Sequence, residues 1–190
     1  MSHLRVIAGE AKGRRLKLVP GEGTRPITDR VKEALFNILG PLTVGSTFLD
    51  LFAGTGSVGI EALSRGALRA VLVDREKPAI RTIHENLDLT RLAERAEVVR
   101  ADSFDFLGRS GVGPFDFVYV APPQYQELWS RVIQDIDIDP TLLNPDAWVI
   151  AQIDPTEEVE LELSVLRLFD RRQYGSTVLL FYEFRPRAAA

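Results

Sequence analysis

The clearest chemical signal in this sequence comes from three glycines and the carboxylates around them. Gly54, Gly56 and Gly59 stand at the G-x-G-x-x-G spacing in Phe48-Leu-Asp-Leu-Phe-Ala-Gly-Thr-Gly-Ser-Val-Gly59, between a strand-like and a helix-like segment. Glycines so placed permit a tight turn and let the backbone approach a ligand at the carboxyl end of the first strand. Asp74 ends the next strand-like segment, 18 residues after Gly56, where its carboxylate can accept both hydroxyl protons of an adenosine ribose. These groups suit NAD and S-adenosylmethionine alike. Asp50, four residues before Gly54, distinguishes the two. A carboxylate there would repel a pyrophosphate and attract the ammonium of a methionine moiety. Asp102, in Ala101-Asp102-Ser103 after the third strand, can accept from an adenine amino group; alone, an aspartate there is more often a helix cap, but three acids at three consecutive strand ends beside a Gly-rich turn favour the adenosine site. The expected cofactor-binding set is Asp50, Phe52, Ala53, Gly54, Thr55, Gly56, Asp74, Arg75, Asp102 and Ser103.

A second cluster closes the fourth strand, Asp116-Phe-Val-Tyr-Val-Ala121-Pro122-Pro123-Gln124-Tyr125. In an open α/β sheet this end faces the same crevice as the Gly-rich turn. Two prolines remove two N–H groups and leave carbonyls without local partners, which suits holding an exocyclic amine; a plain rigid turn accounts for them too. Pro122, Pro123 and Tyr125 are the catalytic candidates at this end. Trp129 reads as core or helix surface and His84 as a surface residue.

Positioning these groups requires an alternation of strands and helices. Short apolar strands at 48–52, 70–74, 97–100, 115–121 and 148–153 alternate with helices at 58–65, 78–89 and 127–136, which indicates a parallel sheet covered on both faces. Two strand-like segments, 161–169 and 177–184, have no helix between them and read as an antiparallel edge hairpin turning at Tyr174-Gly175. Ahead of the alternation, Leu4–Ala8 and Leu16–Val19 read as a β-hairpin. A Gly/Pro loop then leads to Thr28, the expected cap of a helix that ends at Gly40-Pro41. The expected division is a hairpin extension over 1–27, the catalytic domain over 28–184 and a tail over 185–190.

Composition narrows the chemistry further. The absence of cysteine excludes disulfides, thiolate metal sites and cysteine nucleophiles, and two histidines leave little for a metal centre. No apolar run nears the ~18 residues of a membrane helix. The N-terminus leads directly into strand-like sequence, so a cytoplasmic protein that binds neither metal nor membrane is expected. The net charge of -4 is unevenly spread: residues 1–32 carry eight basic and three acidic side chains, a local balance of +5, and the remainder is at -9. A basic arm on an acidic body suits phosphate contact, through Arg14, Arg15, Arg25 and Arg30, although a solvated hairpin fits the count as well.

These residues resemble a known family, the RsmD-like 16S rRNA guanine-N2 methyltransferases, within the class I S-adenosylmethionine-dependent fold. The resemblance spans nearly the whole chain: Arg5-Val-Ile-Ala-Gly9, Lys12-Gly-Arg-Arg-Leu16, Thr24-Arg-Pro26, Asp29-Arg-Val-Lys-Glu-Ala-Leu-Phe-Asn-Ile-Leu39, Asp50-Leu-Phe-Ala-Gly-Thr-Gly56, Gly59-Ile-Glu-Ala-Leu-Ser-Arg-Gly66 and Tyr174-Gly175. It implies a Rossmann-like α/β fold, with a seven-stranded, mostly parallel sheet, a reversed C-terminal strand and an N-terminal hairpin that helps engage RNA. It also implies methyl transfer from S-adenosylmethionine to a guanine of 16S rRNA or the small ribosomal particle, by a monomer. One position departs from the pattern. The family carries an acidic or amide residue, two prolines and an aromatic at the end of strand four, where this chain has Ala121-Pro122-Pro123-Gln124. Ala121 cannot accept from an amine, which raises the alternative of a catalytically impaired RNA-binding homologue. A NAD-dependent oxidoreductase would need a proton donor that His84 does not convincingly supply.

Overall fold

The computed structural model describes residues 4–21, 27–124 and 127–186. The chain divides into two compact units, Met1–Ser103 and Phe104–Ala190. Among the described residues seven strands form the expected mostly parallel α/β sheet, in the runs β3-β2-β1 from the first unit and β4-β5-β7-β6 from the second.

In the first unit, helix α1 (Asp29–Leu39) precedes β1 (Thr47–Asp50), α2 (Ser57–Ser64), β2 (Arg69–Asp74), α3 (Lys77–Thr90) and β3 (Ala96–Arg100). Thr28 caps α1 by accepting the Val31 N–H, as its residue type suggested. β1 and β3 flank β2 in parallel, with Asp50 opposite Leu72 and Asp74 opposite Arg100. β1 stops at Asp50, two residues sooner than the apolar run implied, because Leu51 and Phe52 already turn.

Every residue of α2 is buried. Its outer side is covered by the N-terminal arm through buried polar groups. The Glu61 carboxylate accepts from Ile7 N (2.8 Å) and Ala8 N (3.0 Å), and the Ser64 hydroxyl donates to Ala8 O (2.6 Å) and accepts from Ala11 N (3.0 Å). Lys32 of α1, fully buried, donates to Arg5 O (2.6 Å) and lies 3.7 Å from Glu61. Burial lowers its pKa, opposed by the nearby negative charge of Glu61. The arm is therefore narrower in its strand pairing than the alternation suggested. Arg5 and Arg15 form an isolated antiparallel bridge, and Lys17 pairs its backbone with the Asn86 side chain instead of with a strand.

The second unit holds most of α4 (Ser103–Leu107), a short helix that the polar sequence there did not reveal, followed by β4 (Phe115–Val120), α5 (Leu128–Ile138), β5 (Leu143–Ile153), β6 (Leu166–Tyr174) and β7 (Thr177–Phe184). β4 and β5 are parallel, whereas β7 runs antiparallel to both β5 and β6. Trp148 is the aromatic hub, 5.9 Å from Phe117, 4.8 Å from Phe169 and 6.5 Å from Phe181. β5 starts five residues before the expected Trp148, beginning opposite Phe115, with a register shift before Phe117. β6 is displaced five residues from the expected 161–169. The cause is Asp137, whose carboxylate takes the N–H groups of Ser164 (2.7 Å), Val165 (2.8 Å) and Leu166 (2.8 Å) and so fixes where the strand begins. Among the described residues no helix is long and apolar enough to cross a membrane.

Candidate functional site: a Gly-rich turn among three strand ends

The site grows from the carboxyl ends of β1, β2 and β3. At the end of β1, Asp50 is fully buried and its Oδ2 accepts the Gly59 N–H at 3.1 Å, tying the strand to the first turn of α2. Gly59 also lets α2 pack closely on β2: a Cβ there would meet Leu72 Cδ2 at 2.9 Å. Burial pushes the Asp50 carboxyl up to about 7; the Gly59 N–H opposes the shift, and the charge of Asp74 adds to it. Asp50 is thus a buried acid at a strand end, held against the first turn of α2.

Asp74 clasps the turn from β2. Its Oδ2 accepts from Gly54 N (2.8 Å) and its Oδ1 from Glu76 N (2.9 Å). A carboxylate has about four lone-pair sites, so both oxygens can still accept from a vicinal diol. Gly54 adopts φ +54°, and a Cβ on it would meet nothing within 4 Å. The turn therefore presents bare backbone to open space beside Asp74, the shape a nucleoside needs. Ala53 N donates to Val73 O (2.9 Å) and Gly56 N to Ala53 O (2.7 Å), which fixes the turn's path.

Asp102 follows β3, directly ahead of α4, with its Oδ2 4.0 Å from Arg75 Nη1 and its side chain 41% exposed. Ser103 is buried and donates to Leu51 O at 2.8 Å, which supports the turn from below. Thr55 is buried, Phe52 half-buried and Arg75 exposed. All ten expected cofactor residues thus lie in the first unit, on or beside one turn.

Two residues in this unit escaped sequence reasoning. Asn86 of α3, fully buried, accepts from Lys17 N (2.7 Å) and donates to Lys17 O (3.1 Å) and Thr55 O (2.9 Å), so one amide ties the arm to the Gly-rich turn. Its signal was a polar residue on the apolar stripe of Ala79, Ile83 and Leu87. Glu61, amid the apolar residues of α2, carried the same signal.

The basic arm is less positive at its surface than its composition suggests. Lys32 is buried against Glu61, Arg5 pairs with Asp29 at 3.0 Å and Lys17 with Glu85 at 2.8 Å. Arg14, Arg15 and Arg30 are exposed; Arg14 donates to Leu89 O at 3.2 Å. Arg25 lies outside the described residues.

In the second unit β4 runs out into Ala121, Pro122 and Pro123, the first two half-buried and the third exposed. Tyr125 lies outside the described residues. Trp129 is buried, donating to Glu157 O at 3.3 Å, and His84 is exposed, as their sequence context suggested.

The reversed β7 and a Gly-rich turn between β1 and α2 define a Rossmann-like fold of the class I methyltransferase kind. The family described as "Conserved hypothetical protein 95" matches residues 4–183. YlbH of Bacillus subtilis (strain 168), provisionally described as an rRNA methyltransferase, is 38% identical over 184 residues, covering 96% of this chain and 100% of that one. Ribosomal RNA small subunit methyltransferase D of Escherichia coli (strain K12) is 38% identical over 146 residues, 77% of this chain and 69% of that protein. Among solved structures, the Escherichia coli protein yhhF, provisionally described as a methyltransferase, has a TM-score of 0.85 at 31% identity, covering 96% of this chain and 98% of that one. The chain belongs to the Conserved hypothetical protein 95 family, the RsmD-like family that its motifs resemble.

Proposed function

We propose that this protein transfers a methyl group from S-adenosylmethionine to the exocyclic N2 of a guanine in small-subunit (16S) ribosomal RNA. The observation that carries the reading is Asp74, which holds the Gly54 N–H at 2.8 Å beside open space and keeps lone pairs for a ribose diol. Family membership supplies the reaction class, since the related proteins bear the names of rRNA methyltransferases.

The cofactor, when bound, supplies a sulfonium-activated methyl group, so the protein's task is alignment and exclusion of water. Asp74 accepts the ribose hydroxyl protons and Asp102 an adenine amino hydrogen. Asp50 faces the methionine ammonium, which favours its carboxylate form. Phe52, Ala53, Thr55, Arg75 and Ser103 shape the remainder. The Pro122 carbonyl accepts from the target amine, Pro123 keeps that turn rigid, and Tyr125 stacks on the flipped base. Arg14, Arg15, Arg25 and Arg30 contact phosphates, as a monomer acting on rRNA or the small ribosomal particle in the cytoplasm requires.

Calorimetric titration with S-adenosylmethionine, S-adenosylhomocysteine and NAD tests the cofactor; binding of the first two and not the third is expected. A second reading, an RNA-binding homologue with impaired catalysis, is favoured by Ala121 alone. Methyl incorporation into small-subunit rRNA separates the two.

A further inference from the structure

Beside Ala121, on the neighbouring strand, the second unit carries an amide. β4 and β5 are parallel and their last pair is Val120 with Ala151. Ala121 follows directly after β4, and continuing the same register by one residue brings it level with Gln152, on the face that register neighbours share. The Gln152 side chain is held there: Oε1 accepts from the Tyr119 hydroxyl at 2.6 Å, and Tyr119 is itself buried. That bond occupies one lone pair of Oε1 and fixes the amide's orientation. A second lone pair and two amide hydrogens remain available, on a residue that is only half-buried.

We propose that Gln152 supplies the side-chain acceptor that Ala121 lacks, taking a hydrogen bond from the exocyclic amine of the target base, with Tyr119 as its positioning residue. The inference rests on the methyl-transfer reading above. In the reaction the amine nitrogen forms a bond to the methyl carbon as the carbon–sulfur bond breaks, the sulfonium becoming a neutral thioether. The amine then sheds one proton. An amide oxygen is too weak a base to keep that proton, which passes to water; what Gln152 contributes is a hydrogen bond that strengthens as positive charge develops on nitrogen. Shifting the acceptor by one strand keeps the function while Ala121 gives up its side chain.

The test compares steady-state kcat and RNA KM with cofactor affinity across four variants. Gln152→Ala is expected to lower kcat about tenfold or more, the scale of one lost hydrogen bond, with unchanged S-adenosylmethionine affinity. Adding Ala121→Asp to Gln152→Ala restores most of the loss, because the acceptor returns from the adjacent strand. Tyr119→Phe/Gln152→Leu, which removes both partners and leaves no buried hydroxyl orphaned, keeps the fold and also loses kcat. Tyr119→Phe alone loses less. A kcat within twofold of the parent in Gln152→Ala or in the double apolar variant overturns the assignment, as does a loss that Ala121→Asp leaves unrelieved. A parent protein that transfers no methyl at all overturns the methyl-transfer reading itself, and Gln152 with it; an active parent indifferent to Gln152 overturns only this inference.

Discussion

The strand ends of the two units solve recognition in different ways. In the first unit, β1 and β2 end in aspartates that hold backbone N–H groups of one turn, Gly59 for Asp50 and Gly54 for Asp74, and Asp102 lies two residues beyond β3. The carboxylates of Asp50 and Asp74 build the turn, and in the proposed function they face its ligand as well. In the second unit β4 ends in an alanine and two prolines, which offer carbonyls and no side-chain acceptor. Recognition of a charged, hydroxyl-rich nucleoside suits fixed anions. An amine on a large RNA can be met by neutral acceptors, whose hydrogen bonds strengthen as positive charge develops on its nitrogen.

The first unit can afford buried charge because the arm and α2 share it, and this yields the largest expected effect. Glu61→Ala leaves Lys32 buried without its anion and the N–H groups of Ile7 and Ala8 without acceptors. Loss of one partner from a buried pair costs about 3–5 kcal/mol, to be read in urea unfolding midpoints. A change below about 1 kcal/mol would mean that the arm is anchored by its apolar contacts alone.

Asp74→Ala should weaken S-adenosylmethionine binding by roughly 1–3 kcal/mol through lost charge-assisted hydrogen bonds. Calorimetry on the folded variant checks it, and unchanged affinity would remove the nucleoside site from β2.

Asp50 gives a pH signature confined to the first unit. Its folded-state pKa, about 7, lies above the ordinary aspartate value of 3.8, so its contribution to stability is present below pH 3.8 and is lost as pH rises through 7. Cofactor affinity runs the other way, because an ammonium selects the carboxylate. Binding should tighten about tenfold from pH 6 to 8, with release of close to one proton at pH 6 and almost none at pH 8, and Asp50→Asn should flatten the profile. A flat profile in the parent would show that the methionine end meets some other group.

The smallest effect concerns the arm. Replacing Arg14 and Arg15 with serine should weaken RNA binding and lower the salt slope by about 0.7–0.9 for each lost phosphate contact, with cofactor affinity unchanged. A slope identical to the parent's would place the RNA elsewhere.

How much of this was legible in the sequence depends on range. The turn and its acids are encoded within 27 residues, from Phe48 to Asp74, and glycine spacing with strand-end carboxylates survives without tertiary knowledge. What escaped is long-range: Asn86 acquires meaning from Lys17 and Thr55, Glu61 from Ile7 and Ala8, and Gln152 from the strand beside it. The β6 error has the same origin. Residues 161–165 carry as strong a strand pattern as those that follow, but the Asp137 carboxylate from another element takes the N–H groups at 164–166 and moves the start.

The central claim is tested most directly by incubating the protein with labelled S-adenosylmethionine and small-subunit rRNA, free and in particles, lacking this modification, then digesting the RNA to nucleosides. The account predicts label in N2-methylguanosine, at a single site, and labelling slowed roughly 5- to 150-fold when Asp74→Ala replaces the parent at limiting cofactor. Label on another atom or base would contradict the amine-acceptor assignment, and no incorporation into either substrate would contradict the methyl-transfer reading as a whole.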